Sequence, residues 1–486
     1  MIKEFTEEQK FVINKAFNVQ SLKINALAGT GKTTACFGLI DEALKRNYST
    51  LYLVFNRSMK NEAKDLSKKY FIKSNNLKIS TAHGLAYDML AKIGYFKYRT
   101  INNLKALNLM ESNITKDFDS ALGIISVFNS FLWSEYLLDE TEQFFEIISN
   151  DKDLYKIISD RKITPEHLNM IIRKIEYNQL PCGFDYYLKK CLTLLARGEI
   201  KLNYDMVIID EAQDINLSIF SFAKHLCIRH LILFGDKHQA IYNFTGRVNL
   251  IDYLNNTEEA YLTVSFRLNE KVTKIANEIL KLKGEKNLIK SKQINTPEKS
   301  KAIISRTNEE LIKFYLNLPE ELEKMVKFER KIEEILKLHF TLSCIIHQIN
   351  PEILCHKYKI KKEKVLIEFV YHNLKNSSNT EFFGYLKNLL LYGKNFSQES
   401  DLITAYRLAQ ELSPDRILKI IDKYNSYKKE NKELYMGTVH SCKGKEYKEV
   451  FLLKDLRLNK NYDQYHLNLL YTAVSRASED CIFFKK

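Results

Sequence analysis

One segment limits the folds open to this chain of 486 residues more than any other: Ala26-Leu-Ala-Gly-Thr-Gly-Lys-Thr33, which follows directly on the apolar run Leu22–Leu27. It predicts a strand that turns through a glycine-rich loop into a helix. Gly29 and Gly31 let the backbone curl so that successive N–H groups face one point, at the positive end of the next helix. With Ala28, Thr30 and Thr34 this makes a phosphate cradle, a P-loop whose first glycine is replaced by Ala26. Lys32 is placed to reach the β- and γ-phosphates of ATP, and the Thr33 hydroxyl to hold Mg²⁺. The pattern alone is shared by several nucleotide-hydrolysing classes.

The rest of the chain agrees with an α/β fold. Short apolar runs recur at Leu51–Phe55, Met206–Ile209, Leu231–Phe234, Tyr261–Val264, Ala302–Ser305, Tyr435–Val439 and Val450–Leu453. Their apolarity is continuous rather than alternating, so the strands are expected to be buried on both faces, in parallel sheets. Residues 88–203 and roughly 320–430 break this rhythm with helical patterning and read as insertions. The segment 340–360, Phe-Thr-Leu-Ser-Cys through Lys-Tyr-Lys-Ile, fits a helix–turn–helix or a packed helical hairpin equally.

The length implies two to four domains. Lys+Arg outnumber Asp+Glu by 74 to 60, giving +14, which favours a polyanionic partner without saying which. The eight cysteines are scattered with no C-x-x-C, so a zinc ribbon or iron–sulfur site is not expected. Cys344, His347, Cys355 and His356 are close in sequence but lie within apolar helical pattern. No signal pattern and no apolar run of spanning length occurs, so an intracellular protein without a membrane partner is expected.

Met206-Val-Ile-Ile-Asp-Glu-Ala-Gln-Asp214 supplies the chemistry that a phosphate cradle lacks. An apolar strand ends in adjacent carboxylates: Asp210 suits a Mg²⁺ ion and Glu211 suits general-base activation of the attacking water. Cradle and carboxylates together point to ATP hydrolysis.

From here the chain resembles the UvrD/Rep-like branch of superfamily 1 helicases, with motifs in family order from Phe5 to Ser478. The segments Asn25–Thr34, Leu53–Ala63 and Gly235–Gly246 are most similar to the F-box DNA helicase subgroup, although no F-box is expected ahead of Phe5. The resemblance implies two RecA-like P-loop cores with parallel sheets, each carrying a mostly helical insertion. The expected parts are 1–87, 204–270, 271–320 and 430–486 for the cores, and 88–203 and 321–429 for the insertions.

The resemblance also implies roles. Gln9 would read adenine, although Thr6 and Gln9 equally make a capping box for the first helix. Gln239 would sense the γ-phosphate, Phe266 would stack on adenine, and Arg267 would meet the γ-phosphate. Glu446 would lie near the ribose, and Arg476 would be an arginine finger from the second core. Phe55, Asn56, Arg57, Thr81, His83, Tyr242, Phe244, Thr438 and His440 would form the track for single-stranded DNA, Phe244 by base stacking. A 3′→5′ motor in repair or recombination is implied, with a nuclease or repair protein as a further partner; a nuclease–helicase pair or an ATP-gated binding module are the alternatives. Two departures stand out: Thr245 where the family commonly has Arg, with Arg247 as substitute, and Lys445 where it has Leu.

Overall fold

The computed structural model describes residues 5–70, 72, 74–148, 151–242, 248–294, 301–347, 407–427, 433–458 and 462–484. The chain divides into two compact units, Met1–Val264 and Ser265–Lys486.

The first unit is built on six parallel strands: β1 (Ser21–Ala26), β2 (Thr50–Leu53), β3 (Leu77–Ser80), β4 (Tyr204–Ile209), β5 (Cys227–Gly235) and β6 (Glu258–Leu262). Their order across the sheet is β3-β2-β4-β5-β1-β6. β1 lies between β5 and β6, with Ile24 opposite both Phe234 and Ala260. Leu22, Ile24, Ile208, Ile232 and Phe234 are fully buried, and each such side chain contributes about 1.5–3 kcal/mol of burial. Covering both faces is what makes an all-parallel sheet stable, and it explains the continuous apolar runs.

Helices follow the strands: α1 (Glu7–Lys15) precedes β1, α2 (Lys32–Lys45) follows it, α3 (Arg57–Lys69) follows β2 and α4 (Ala82–Lys92) follows β3. α1 starts with the Thr6/Gln9 capping box. Glu8 then accepts from Thr263 N and Oγ1, both at 2.6 Å, which ties that helix to the end of β6. Between β3 and β4 the described chain is helical apart from one isolated bridge, Ile101 to Cys182. The helix Pro165–Glu176 shows the logic: Pro165 opens it and Leu168, Ile171 and Ile175 recur on its buried face.

In the second unit, two short strands, β7 (Val264–Ser265, beginning at the boundary) and β8 (Lys290–Ser291), belong to neither large sheet. Its main sheet holds β9 (Lys301–Ser305), β10 (Val326–Phe328), β11 (Leu434–Thr438), β12 (Tyr447–Leu452) and β13 (Ala477–Phe483). The order is β10-β11-β9-β12-β13, again parallel throughout. Two parallel α/β units are therefore present, as the resemblance implies. β10 and β13 were not expected, and β10 falls inside the stretch read as a helical insertion. Both are edge strands: β10 has three residues, and β13 carries Ser478, Glu479 and Asp480 at its centre, so neither shows a continuous apolar run. The second half of the segment 340–360, with Cys355 and His356, lies outside the described residues.

Candidate nucleotide site and nucleic-acid face

In the first unit the carboxyl ends of β1, β4 and β5 bring the motifs together. This is the edge at which parallel sheets place ligands. Gly29 and Gly31 both have φ near 74°, in the left-handed region where a side chain is disfavoured. Gly31 is the N-cap of α2 and offers no side-chain cap, so the first amides of that helix remain open to an anion. Thr30 Oγ1 donates to Leu27 O at 2.7 Å and pins the loop. Gln9 Nε2 reaches Thr30 O and Gly31 O at 3.4 Å each, while its amide oxygen accepts from Thr6 N. Gln9 is thus both helix cap and brace of the loop. Ala28 is buried beneath the loop, Thr33 is exposed and Thr34 is partly so.

Lys32 Nζ lies 3.0 Å from Asp210 Oδ1 and ion-pairs with Glu211. Burial opposes its charge, but the two carboxylates outweigh that and hold its pKa above the ordinary lysine value. Asp210 is buried and accepts from Tyr52 OH at 2.7 Å. Glu211 has φ 55°, a left-handed conformation rare for a residue with a side chain, and such outliers concentrate at functional sites. Gln213 Nε2 donates to Glu211 Oε2 at 2.5 Å, and its Oε1 accepts from Asp236 N at 3.2 Å. Asp236 in turn accepts from Gln239 Nε2 at 2.7 Å. Burial, chiefly, raises the Asp236 pKa. One relay therefore joins Lys32, Glu211, Gln213, Asp236 and Gln239. The sequence reading missed Gln213, Asp236 and Tyr52, and only Gln213 and Asp236, inside quoted motifs, offered a signal.

On the same edge, the rings of Phe55 and Tyr242 stack with centroids 6.3 Å apart. Asn56 caps α3, accepting from Met59 N at 2.9 Å, and Thr81 caps α4, accepting from Gly84 N at 3.0 Å. Arg57 is exposed. His83 Nε2 is 2.9 Å from Asp185 Oδ1, whose other oxygen accepts from Trp133 Nε1 at 3.0 Å. Phe244, Thr245 and Arg247 lie outside the described residues.

The second unit gathers its own candidates. Arg267 ion-pairs with Glu446 and donates to Ser475 O at 3.3 Å. Its Nε is buried with no hydrogen-bond partner, an orphan donor of the kind a ligand oxygen satisfies. Arg476 is 3% exposed and donates to Thr472 O, Ser475 Oγ and Lys445 O. Phe266 is half-buried beside Arg267. Thr438 caps a one-turn helix, and His440 Nε2 is 3.2 Å from Tyr465 OH. Glu446, expected beside a ribose, is here the partner of Arg267.

Lys445 has a local explanation. It ion-pairs with Glu329, which is buried and also accepts from Tyr447 OH. A leucine there would leave the Glu329 carboxylate without its cation. Glu329→Gln is expected to lower stability by about 1–2 kcal/mol, and Glu329→Gln with Lys445→Leu to recover part of it. Urea midpoints check this; an unchanged midpoint in the single variant sinks it.

The oxygen donors Thr33 and Asp210 suit Mg²⁺, which is bound through one or two carboxylates together with substrate phosphates. Among the described residues no three His, Cys, Asp or Glu side chains group to hold a metal unaided, and no helix is long and apolar enough to cross a membrane.

Residues 5–261 match the UvrD/REP helicase N-terminal domain, and residues 433–484 match the UvrD-like helicase C-terminal domain. Among curated relatives, F-box DNA helicase protein 1 of Schizosaccharomyces pombe is 27% identical over 99% of this chain and 57% of its own length. F-box DNA helicase 1 of Gallus gallus is 25% identical over 98% of this chain and 48% of its own. A probable DNA helicase II homolog of Mycoplasma genitalium is 23% identical over 60% of this chain and 56% of its own. The chain spans about half the length of the curated relatives it matches.

Proposed function

This chain belongs to the UvrD/REP helicase family, and from that premise we propose that it hydrolyses ATP to drive movement along single-stranded DNA, as a helicase or translocase. The observation that carries the reading is Lys32 held between Asp210 and Glu211 at the open N-terminus of α2. A triphosphate takes the open amides and competes for the Lys32 ammonium, freeing Glu211 to accept a proton from the attacking water. Mg²⁺, held by Thr33 and Asp210, would supply charge neutralisation at the phosphates. Gln239, tied through Asp236 and Gln213 to Glu211, reports the state of the γ-phosphate. The family resemblance implies that Arg267 and Arg476 are the arginines that would neutralise charge on the transferring phosphoryl group.

Phe55 and Tyr242 offer ring faces, and Arg57, Thr81 and His83 offer polar groups, for a single strand. The family resemblance adds Phe244, Thr438 and His440 as candidates for contacting the strand, and it favours 3′→5′ travel and a repair or recombination role. The test is ATP turnover with and without a dT oligonucleotide, together with strand separation on 3′- and 5′-tailed duplexes. Stimulated turnover and opening of the 3′-tailed duplex are expected. Turnover indifferent to DNA removes the motor reading, and opening of the 5′-tailed duplex alone reverses the polarity.

A further inference from the structure

The apolar run that enters the P-loop has two polar members. Lys23 and Asn25 alternate along β1 with Leu22, Ile24 and Ala26, so they face the side of the sheet opposite that core. They are 7% and 0% exposed, in a strand paired on both sides. Burying a lysine and an asparagine there is costly, and a fold keeps such groups where their polar atoms find partners.

The partners close a ring within the first unit. Asn25 Oδ1 accepts from Lys237 N at 3.2 Å, and Asn249 Nδ2 donates to Lys237 O at 3.0 Å. Asn249 is the N-cap residue of the short helix Leu250–Tyr253. In that helix Ile251 O accepts from Lys23 Nζ at 2.9 Å, which returns the ring to β1. Both backbone hydrogen-bonding groups of Lys237 are thus held by asparagine side chains. Lys237 opens the single turn Lys237–Gln239, whose last residue is the proposed γ-phosphate sensor. Each asparagine also has one amide atom to spare: Asn25 Nδ2 and Asn249 Oδ1 are buried and find no hydrogen-bond partner among the described residues. Buried unsatisfied groups call for an explanation. A spare donor and a spare acceptor beside one residue are what a second position of the turn would use.

We propose that Asn25 and Asn249 are positioning residues for Gln239, joining the strand that becomes the P-loop to the turn that reports the γ-phosphate. This rests on the reading of Gln239 given above and names what holds that residue in place. The relay through Gln213 and Asp236 fixes the Gln239 side chain, whereas the asparagine clamp sets its backbone. Asn25 is the penultimate residue of β1, so a shift of the loop on taking up phosphate reaches Lys237 through one hydrogen bond. Coupling of this kind needs an element with two arrangements that both sites bias, and the spare amide atoms give the clamp a second set of bonds to form.

The experiment is a double-mutant cycle read by single-turnover ATP hydrolysis, with nucleotide titration and thermal unfolding of each variant. Asn249→Ala should hydrolyse bound ATP about tenfold more slowly while its ATP affinity shifts by less than about twofold, as for one lost hydrogen bond to a positioned group. Asn25→Ala should act in the same direction. In a Gln239→Ala background, Asn249→Ala should cost little more, because the residue it positions is already gone. A merely structural asparagine would instead cost the same factor in both backgrounds and lower the unfolding temperature to match. That equal factor overturns the clamp, as does wild-type hydrolysis by both asparagine variants. Asn249 is half-buried, so its variant keeps the test open if Asn25→Ala fails to fold. Wild-type hydrolysis by Gln239→Ala alone overturns the reading of Gln239 itself, and the clamp with it.

Discussion

Glu211→Gln is expected to bind ATP and hydrolyse it on the order of 10²-fold or more slowly, the contribution of a positioned general base. The substitution is close to isosteric. Its amide oxygen still accepts from Gln213 Nε2 or Lys32 Nζ, so the relay to Asp236 keeps its shape. What disappears is a basic oxygen held off the end of β4 by a left-handed backbone. Lys32→Ala acts differently. It takes the cation from between Asp210 and Glu211, leaving two adjacent carboxylates that repel each other and an incoming polyphosphate. Nucleotide binding itself should fail, together with turnover. Nucleotide titration and single-turnover hydrolysis separate the two variants. Full-speed hydrolysis by Glu211→Gln would remove it as the base and leave it as the partner of Lys32 and Gln213.

Arg476→Ala should leave ATP affinity nearly unchanged and lower turnover by about 10³-fold or more, the range of arginine fingers. The residue is buried, and its guanidinium donates to Thr472 O, Ser475 Oγ and Lys445 O. Alanine therefore also loosens the loop that carries Lys445 and Glu446. Arg476→Lys separates the two effects: lysine keeps a charge but lacks the planar fork that reaches several acceptors at once. If phosphoryl stabilisation is the main role, both variants lose turnover while unfolding near the wild-type temperature. Should Arg476→Ala unfold early yet turn over normally per bound nucleotide, the residue is a loop anchor and Arg267 becomes the better candidate.

The sequence by itself determined the parts that depend on neighbours along the chain. A glycine-rich loop between an apolar run and a helix can only turn one way, because φ near +74° at Gly29 and Gly31 excludes most side chains. The same holds for the doubly buried strands, whose continuous apolarity is visible without knowing their partners, and for the Thr6/Gln9 capping box, whose partners are three positions apart. Strand order, edge strands and long-range partners were decided only by the tertiary structure. β10 and β13 gain their place by pairing with one neighbour each, and polar residues suffice there. His83 meets Asp185 across 102 positions, Lys445 meets Glu329 across 116, and Arg267 reaches Ser475 across 208. No spacing rule connects such residues. A half-buried polar or charged group takes whichever opposite charge or carbonyl the packing brings within reach, because leaving it without a partner where water is scarce costs more than a local preference provides.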